Sequence, residues 1–296
     1  MSIRYAQCGD LELAYETFGS AQDPTVMLVM GLGSQMVAWA DEFCTMIADE
    51  GFQVVRFDNR DVGLSTHFDS AGTPNLTRVL LGRPIKNAPY LLADMADDTV
   101  RLADALEVDR MHVVGVSMGG MIAQEIALRH APRVLSLTSI MSTTAPAMGP
   151  PRRRAAAALL MRAPRTEAEA GARSVAVFKV IGSPGYPLDE AGWDARGREA
   201  FRRANDPAGR MRHLAAIHAS GDRTERLRDL RVPTLVLHGE DDPLVRIEGG
   251  RATAAAVPGA RLITYPGMGH DLPAALWPQV VHEIAEHART AAENRR

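Results

Sequence analysis

A serine, an aspartate and a histidine stand where their side chains can combine into a nucleophile and its base. Ser117 lies in Gly115-Val116-Ser117-Met118-Gly119, which fits the pattern G-x-S-x-G, and Asp242 and His270 each follow a later apolar run. A serine hydroxyl is a weak nucleophile at neutral pH. It needs a base, and a histidine base needs a carboxylate that orients it. These residues, in this order, predict acyl transfer through Ser117.

The pattern around Ser117 is informative because of what flanks it. It follows an apolar run at 111–115 and precedes a helical pattern at 118–130. In a sharp strand-to-helix turn, glycines two residues either side of the serine remove Cβ atoms that would collide. The helix directs free N–H groups toward an anion beside Ser117. The alternative is a glycine-rich strand-to-helix turn with an incidental serine, which the flanking elements disfavour.

The orienting acid has to be chosen from three adjacent carboxylates, Glu240, Asp241 and Asp242. Asp242 is favoured by its place before Pro243, and Asp241 remains an alternative. The gap from Asp242 to His270 is 28 residues, enough for one helix and one strand. Both loops can therefore return to the edge where open α/β sheets place their active sites.

Other histidines compete with His270 for the role of base. His67 is the strongest rival, since it follows a loop after a predicted strand. His238 and the three acids could be read as a metal site, but the carboxylates are sequential rather than spaced to converge, so neither a metal nor a cofactor is predicted. The remaining histidines lie in predicted helices, at a strand or in the segment without strands: His112, His130, His213, His218, His282 and His287.

Acyl transfer also needs hydrogen-bond donors for an oxyanion, one from the residue after the nucleophile and one from a loop after an early strand. The backbone N–H groups of Met118 and Leu32 are predicted for this role. Leu32 lies between Gly31 and Gly33. The same glycines could indicate dinucleotide binding, but Met36 stands where the third glycine of that motif is required.

The rest of the chain predicts one α/β fold around these loops. Residues 4–18 alternate as a hairpin, and strand patterns at 24–30, 52–57, 111–115, 134–140, 233–238 and 261–265 alternate with helical patterns at 38–50, 92–106, 118–130 and 276–294. This predicts a mostly parallel central sheet with helices on both faces. Residues 143–230 have several prolines and no strand pattern. They predict an inserted helical cap between core segments 1–142 and 231–296.

The composition of the chain limits the classes of molecule that the protein is expected to bind. The 296 residues are 46% hydrophobic and carry a net charge of -3, which allows a full core and gives no reason to expect nucleic acid. Two cysteines are too few for a disulfide framework. The longest apolar run, at 26–30, is too short to span a bilayer. We expect a cytoplasmic protein that acts on a small molecule without a membrane partner; the oligomeric state stays open.

Four stretches of the chain also match a known family: Val29-Met30-Gly31 with Trp39, Asp41, Glu42 and Phe43; Asp58-Asn59-Arg60-Asp61-Val62-Gly63-Leu64-Ser65; His112-Val113-Val114-Gly115-Val116-Ser117-Met118-Gly119; and Pro266-Gly267-Met268-Gly269-His270. On these residues the sequence resembles the α/β-hydrolase superfamily, and within it the anthracycline (aclacinomycin-type) methylesterases. Many α/β-hydrolases have His before the oxyanion glycine, whereas this chain has Met30, as the methylesterase branch does. Asp58 and Arg60 match a family motif with a structural role in tying the loop under the site.

The expected function is a serine carboxylic ester hydrolase (a carboxylesterase) that forms a covalent acyl-enzyme on a small-molecule ester, bulky and apolar or a methyl ester. The same residues could serve a cofactor-free perhydrolase or haloperoxidase, a lactonase or a C–C bond hydrolase. A catalytically silent small-molecule receptor is the hypothesis from another class, and an intact triad argues against it. Four methionines near the catalytic loops are interpreted, by a small margin over core filling, as the lining of a pliable apolar pocket for a bulky ester: Met30, Met118, Met121 and Met268.

Overall fold

The computed structural model of the protein describes residues 2–75 and 88–293. Eight strands form one sheet: β1 (Arg4–Cys8), β2 (Leu11–Phe18), β3 (Thr25–Val29), β4 (Gln53–Phe57), β5 (Met111–Val116), β6 (Val134–Ile140), β7 (Thr234–Gly239) and β8 (Arg261–Tyr265). The α-helices of the described residues are α1 (Asp41–Asp49), α2 (Leu92–Ala105), α3 (Met118–Arg129), α4 (Arg153–Leu159), α5 (Glu167–Ile181), α6 (Glu190–Arg203), α7 (Pro207–Ser220), α8 (Thr224–Leu227), α9 (Ile247–Ala256) and α10 (Trp277–Glu293). Asn294, where the last helix was predicted to end, lies outside the described residues.

The strands lie in the order β1-β2-β4-β3-β5-β6-β7-β8. β2 pairs antiparallel with both β1 and β4, and every later pairing is parallel. The predicted α/β fold with a mostly parallel sheet is confirmed. The exchange of β3 and β4 in the order was not predicted, because periodicity shows where strands are and not which strands are neighbours.

The central strands are buried on both faces, which explains their continuous apolar runs. Along β3, Met27 and Val29 belong to one apolar cluster and Val26 and Leu28 to another, because successive side chains point to opposite faces. Helices α2 and α3 pack into the first cluster, and α1 and α10 into the second. The predicted helical layers on both faces are therefore present.

The chain between β6 and β7, all of it described, forms helices α4 to α8 and no strand. Part of this segment packs into the main core. Ala216, Ile217, Leu227 and Leu230 belong to the apolar cluster shared with α2 and α3, whereas α4 and α5 contribute to a small cluster of their own. The division into core and cap stays a prediction.

The parallel strands end at a common edge, and their register brings the predicted catalytic loops together. Val29 at the end of β3 is level with Gly115 on β5, and Gly239 at the end of β7 is level with Tyr265 at the end of β8. The loops that follow these strands carry the predicted site residues. None of the helices described here is long and apolar enough to cross a membrane.

Candidate active site

Ser117 lies in the turn between β5 and α3 with a strained backbone. Its φ is 57° and its ψ is -121°, a region that residues other than glycine rarely adopt. A Cβ at Gly115 would overlap the Gly119 carbonyl oxygen, and a Cβ at Gly119 would overlap the Val29 carbonyl oxygen. Both glycines are therefore required sterically, and the tight turn holds Ser117 directly after the end of β5.

A hydrogen-bond chain runs from Ser117 through His270 to Asp242. Nε2 of His270 lies 3.0 Å from Oγ of Ser117, and its Nδ1 lies 2.7 Å from Oδ2 of Asp242. The other Asp242 oxygen accepts the backbone N–H groups of Leu244 (2.8 Å) and Val245 (2.9 Å), which orients the carboxylate. Such a chain can deprotonate a serine and stabilise the imidazolium that forms.

The neighbouring carboxylates point elsewhere. Oδ2 of Asp241 accepts the backbone N–H of Gly267 at 3.0 Å, and Oε1 of Glu240 accepts the Thr264 hydroxyl at 2.7 Å. The structure thus brings Asp242, and neither of the other two acids, to His270.

The loop after β3 lies beside the nucleophile. A Cβ at Gly31 would lie 3.2 Å from Cβ and 3.7 Å from Oγ of Ser117. Leu32, the next residue, is half-buried, and Met118 is the first residue of α3. The two backbone N–H groups predicted for an oxyanion therefore come from segments that meet at Ser117.

With this geometry in view, comparison with known proteins gives the family. Residues 24–273 match the family of the α/β-hydrolase fold. The chain belongs to this family. The predicted family is confirmed, and the chain is a hydrolase.

This α/β-hydrolase is similar over nearly its whole length to curated methylesterases, as its motifs led us to expect. It is 27% identical to the rhodomycin D methylesterase DauP of Streptomyces sp. (strain C5), with 98% of this chain and 99% of DauP covered. It shares its fold with the enol-lactonase of Burkholderia xenovorans LB400 (24% identity, TM-score 0.74, 96% and 99% covered). The esterase RhEst1 of Rhodococcus sp. ECU1013 is a second structural neighbour (20% identity, TM-score 0.75, 98% and 100% covered).

The rival base and the rival metal site have other roles in this α/β-hydrolase. His67 Nδ1 lies 2.9 Å from Oδ2 of Asp206. Within the described residues, Asp61, His67 and Asp206 have the spacing of metal ligands, but the Arg212 guanidinium bonds both carboxylates, at 2.7 Å to Asp61 and 2.8 Å to Asp206. Although burial opposes it, the Arg212 hydrogen bond holds the pKa of Asp61 below its ordinary value. The positive charge of the Arg212 side chain therefore already balances the carboxylates of Asp61 and Asp206. His238 Nε2 bonds the Val245 carbonyl at 2.7 Å and lies 3.8 Å from Oδ2 of Asp242. Glu240 and Asp241 bond Thr264 and Gly267 instead, so the three acids do not converge on His238.

The loop after β4 supports the site through its charged side chains. Asp58 is buried and accepts the backbone N–H groups of Met36 (2.7 Å) and Leu64 (3.0 Å). Its third donor is Arg203 of α6, at 2.5 Å. Arg60 pairs with Asp98 of α2 at 2.6 Å. The match of Asp58 and Arg60 to a family motif is thus accompanied by structural contacts.

Two features were missed or left open at the sequence level. His213 of α7 accepts the Gly33 backbone N–H at Nδ1 (3.2 Å) and donates from Nε2 to the Arg60 carbonyl (2.7 Å), so it joins the loops after β3 and β4. No local motif marks it. The four methionines are buried members of the two main apolar clusters, which fits core filling: Met30, Met118, Met121 and Met268.

Proposed function

We propose that this α/β-hydrolase is a serine carboxylic ester hydrolase that cleaves a small-molecule methyl ester. The hydrogen-bond chain from Asp242 through His270 to Ser117 carries the proposal. It supplies a nucleophile, a base within 3.0 Å of it and an acid that fixes the base. The similarity to curated methylesterases over nearly the full chain supports methanol as the leaving group.

In the first half of the proposed reaction, His270 Nε2 accepts the Ser117 proton while Oγ attacks the ester carbonyl carbon. The N–H groups of Met118 and Leu32 stabilise the oxyanion. The tetrahedral intermediate collapses as the C–O bond to the alcohol breaks and His270 protonates the departing alcohol oxygen. An acyl-enzyme on Ser117 remains.

In the second half, His270 takes a proton from water, whose oxygen attacks the acyl carbon. The new tetrahedral intermediate collapses, the Ser117 oxygen recovers its proton from His270, and the carboxylic acid leaves. Asp242 remains ionised throughout and stabilises the imidazolium in each half. The reaction consumes one water and needs no cofactor.

We further propose that residues 143–230 form the cap over core segments 1–142 and 231–296. Side chains of α6 and α7 contact the loops that follow β3 and β4, as Arg203 does at Asp58 and His213 at Gly33. At the other side, the His270 backbone N–H donates to the Ile181 carbonyl at the end of α5 (2.7 Å). These contacts support a cap that covers the proposed site.

The test is hydrolysis of p-nitrophenyl acetate, butyrate and octanoate, and of methyl butyrate, by the wild type and by Ser117→Ala. We expect turnover by the wild type and a loss of at least about 10³-fold in kcat for the variant. Circular dichroism and Tm show that both are folded. Full activity of Ser117→Ala would contradict the assigned nucleophile. A folded wild type that binds esters but hydrolyses none would favour the receptor hypothesis.

A further inference from the structure

Two arginines of the helical segment carry charge that no acidic side chain offsets. Arg210 of α7 donates from Nη1 to the Leu159 carbonyl (2.6 Å), and Nε of Arg173 on α5 is buried without a hydrogen-bond partner. Neither guanidinium has a carboxylate within 4.0 Å in the parts of the chain that the structure describes. The remaining residues, Met1, 76–87 and 294–296, contain no Asp or Glu. The pair therefore has no acidic side chain as counter-ion.

Buried arginines of the helical segment differ in their partners. Arg223 bonds the Gln124 side chain and the Thr143 carbonyl rather than an acid. Arg212, two residues along α7, bonds both Asp61 and Asp206, and Arg203 bonds Asp58. By contrast, burial and the nearby charge of Arg173 lower the pKa of Arg210 to about 10. Burial also lowers the pKa of Arg173. Desolvated charge without a partner is destabilising, and folds tolerate such costs where a site needs them.

Arg210 lies beside the proposed active site, and Arg173 is close enough for its charge to act on Arg210. A Cβ at Gly33 would overlap Cγ and Cδ of Arg210, so this side chain packs directly on the loop after β3. Gly33 is two residues beyond Gly31, where an added Cβ would lie 3.2 Å from Cβ of Ser117, and two residues span at most about 7 Å. Arg210 is thus on the order of 10 Å from the nucleophile. Leu32, Ser117 and both arginines are only half-buried, so solvent reaches this region.

We propose that Arg173 and Arg210 bind a carboxylate on the acyl part of the substrate, several bonds from the ester carbonyl. The inference rests on the proposed function, because a methyl leaving group leaves only the acyl part to carry charge. Guanidinium groups bind carboxylates through paired, charge-assisted hydrogen bonds. The substrate class is then the monomethyl ester of a dicarboxylic acid. The free carboxylate of such a substrate is the counter-ion for Arg173 and Arg210.

The test compares kcat/KM for monomethyl adipate and methyl hexanoate, which differ by a terminal carboxylate. We expect the wild type to prefer the adipate ester. Arg210→Met and Arg173→Met are each expected to lower that preference by about 10- to 100-fold, the range for one hydrogen bond to a charged group. Arg202→Met is the matched control, since it removes an exposed arginine of α6 that pairs with Glu167. Its preference should equal that of the wild type.

Thermal unfolding separates binding from a structural role. If Arg210 serves the substrate, Arg210→Met raises Tm because an unpaired charge is removed, and free adipate raises Tm of the wild type but not of the variant. If Arg210 only caps α4 at Leu159, the variant has a lower Tm and an unchanged ester preference, which would overturn the proposal.

The outcomes also separate the two proposals. A wild type that hydrolyses methyl hexanoate without favouring the adipate ester contradicts the arginine site and leaves the serine esterase intact. A folded wild type that hydrolyses no ester contradicts the esterase proposal. In that case the arginine site is still tested by whether free adipate raises Tm of the wild type but not of Arg210→Met.

Discussion

At the scale of single residues, the decisive contact is the one between Asp242 and His270. Asp242→Asn keeps an oxygen for the N–H groups of Leu244 and Val245 but turns an NH₂ group toward His270 Nδ1. His270 then carries its proton on Nε2 and cannot accept one from Ser117. We expect kcat for p-nitrophenyl butyrate to fall by about 10⁴-fold with little change in KM.

Asp241→Asn is the matched control because it makes the same chemical change one residue away. Its exposed carboxylate bonds the Gly267 N–H and not the histidine. The control should keep kcat within about threefold of the wild type, as expected of a surface substitution. Equal losses in both variants would mean that the acids act through the loop rather than through His270.

The same residues show what local sequence can predict about the site. The positions of Ser117, Asp242 and His270 follow from one rule, since each stands just after a strand of a parallel sheet and such strands end at one edge. The contact of His213 with Gly33 spans 180 residues and depends on how α7 lies over the sheet. No motif near His213 encodes that placement.

At the scale of elements, α6 is fastened to the loop after β4 by the pair of Arg203 and Asp58. The side chains are 9% and 0% exposed. Arg203→Met leaves the Asp58 carboxylate buried with only its two backbone donors. We expect the free energy of unfolding, measured with urea, to fall by about 3 kcal/mol, because breaking a buried ion pair leaves an uncompensated charge.

Arg202→Met tests whether burial is the cause. Arg202 belongs to the same helix and pairs with Glu167 at 2.9 Å, but the two side chains are 61% and 38% exposed. Exposed pairs contribute at most about 1 kcal/mol, so this variant should unfold nearly as the wild type does. A similar loss in both would point to α6 helicity rather than to the Asp58 contact.

The strands and helices also show which features of the fold can be predicted from sequence and which cannot. Alternating apolar runs predict β3 and β5 and the helices between strands, since buried parallel strands have continuous apolar patterns. Between β6 and β7 the prolines predict helices without strands, yet Ala216 and Leu227 pack into the main core. The apolar pattern of a short helix does not say which layer receives it, so its packing follows only from the assembled fold.

At the scale of the whole molecule, stability is expected to depend on pH through buried histidines. Burial lowers the pKa of His213 to about 4. Burial also lowers the pKa values of His218, His238 and His287. As pH falls below the ordinary value of 6.5, the unfolded chain takes up these protons and the folded chain does not. Stability is therefore lost between pH 6.5 and about 4, at about 1.4 kcal/mol per pH unit for each full proton.

His213 allows this expectation to be tested at one site. His213→Gln offers an oxygen to the Gly33 N–H and an amide donor to the Arg60 carbonyl, and it does not titrate. Urea unfolding at about pH 7 and about pH 5 should show that the wild type loses about 2 kcal/mol more than the variant over this interval. His282→Gln, which removes an exposed histidine of α10, should behave as the wild type. If His213→Gln lost as much stability between these pH values as the wild type, His213 would have to take up its proton in the folded state as well as in the unfolded state. Its acceptor role at Gly33 would then be lost, because a protonated ring has no free nitrogen lone pair.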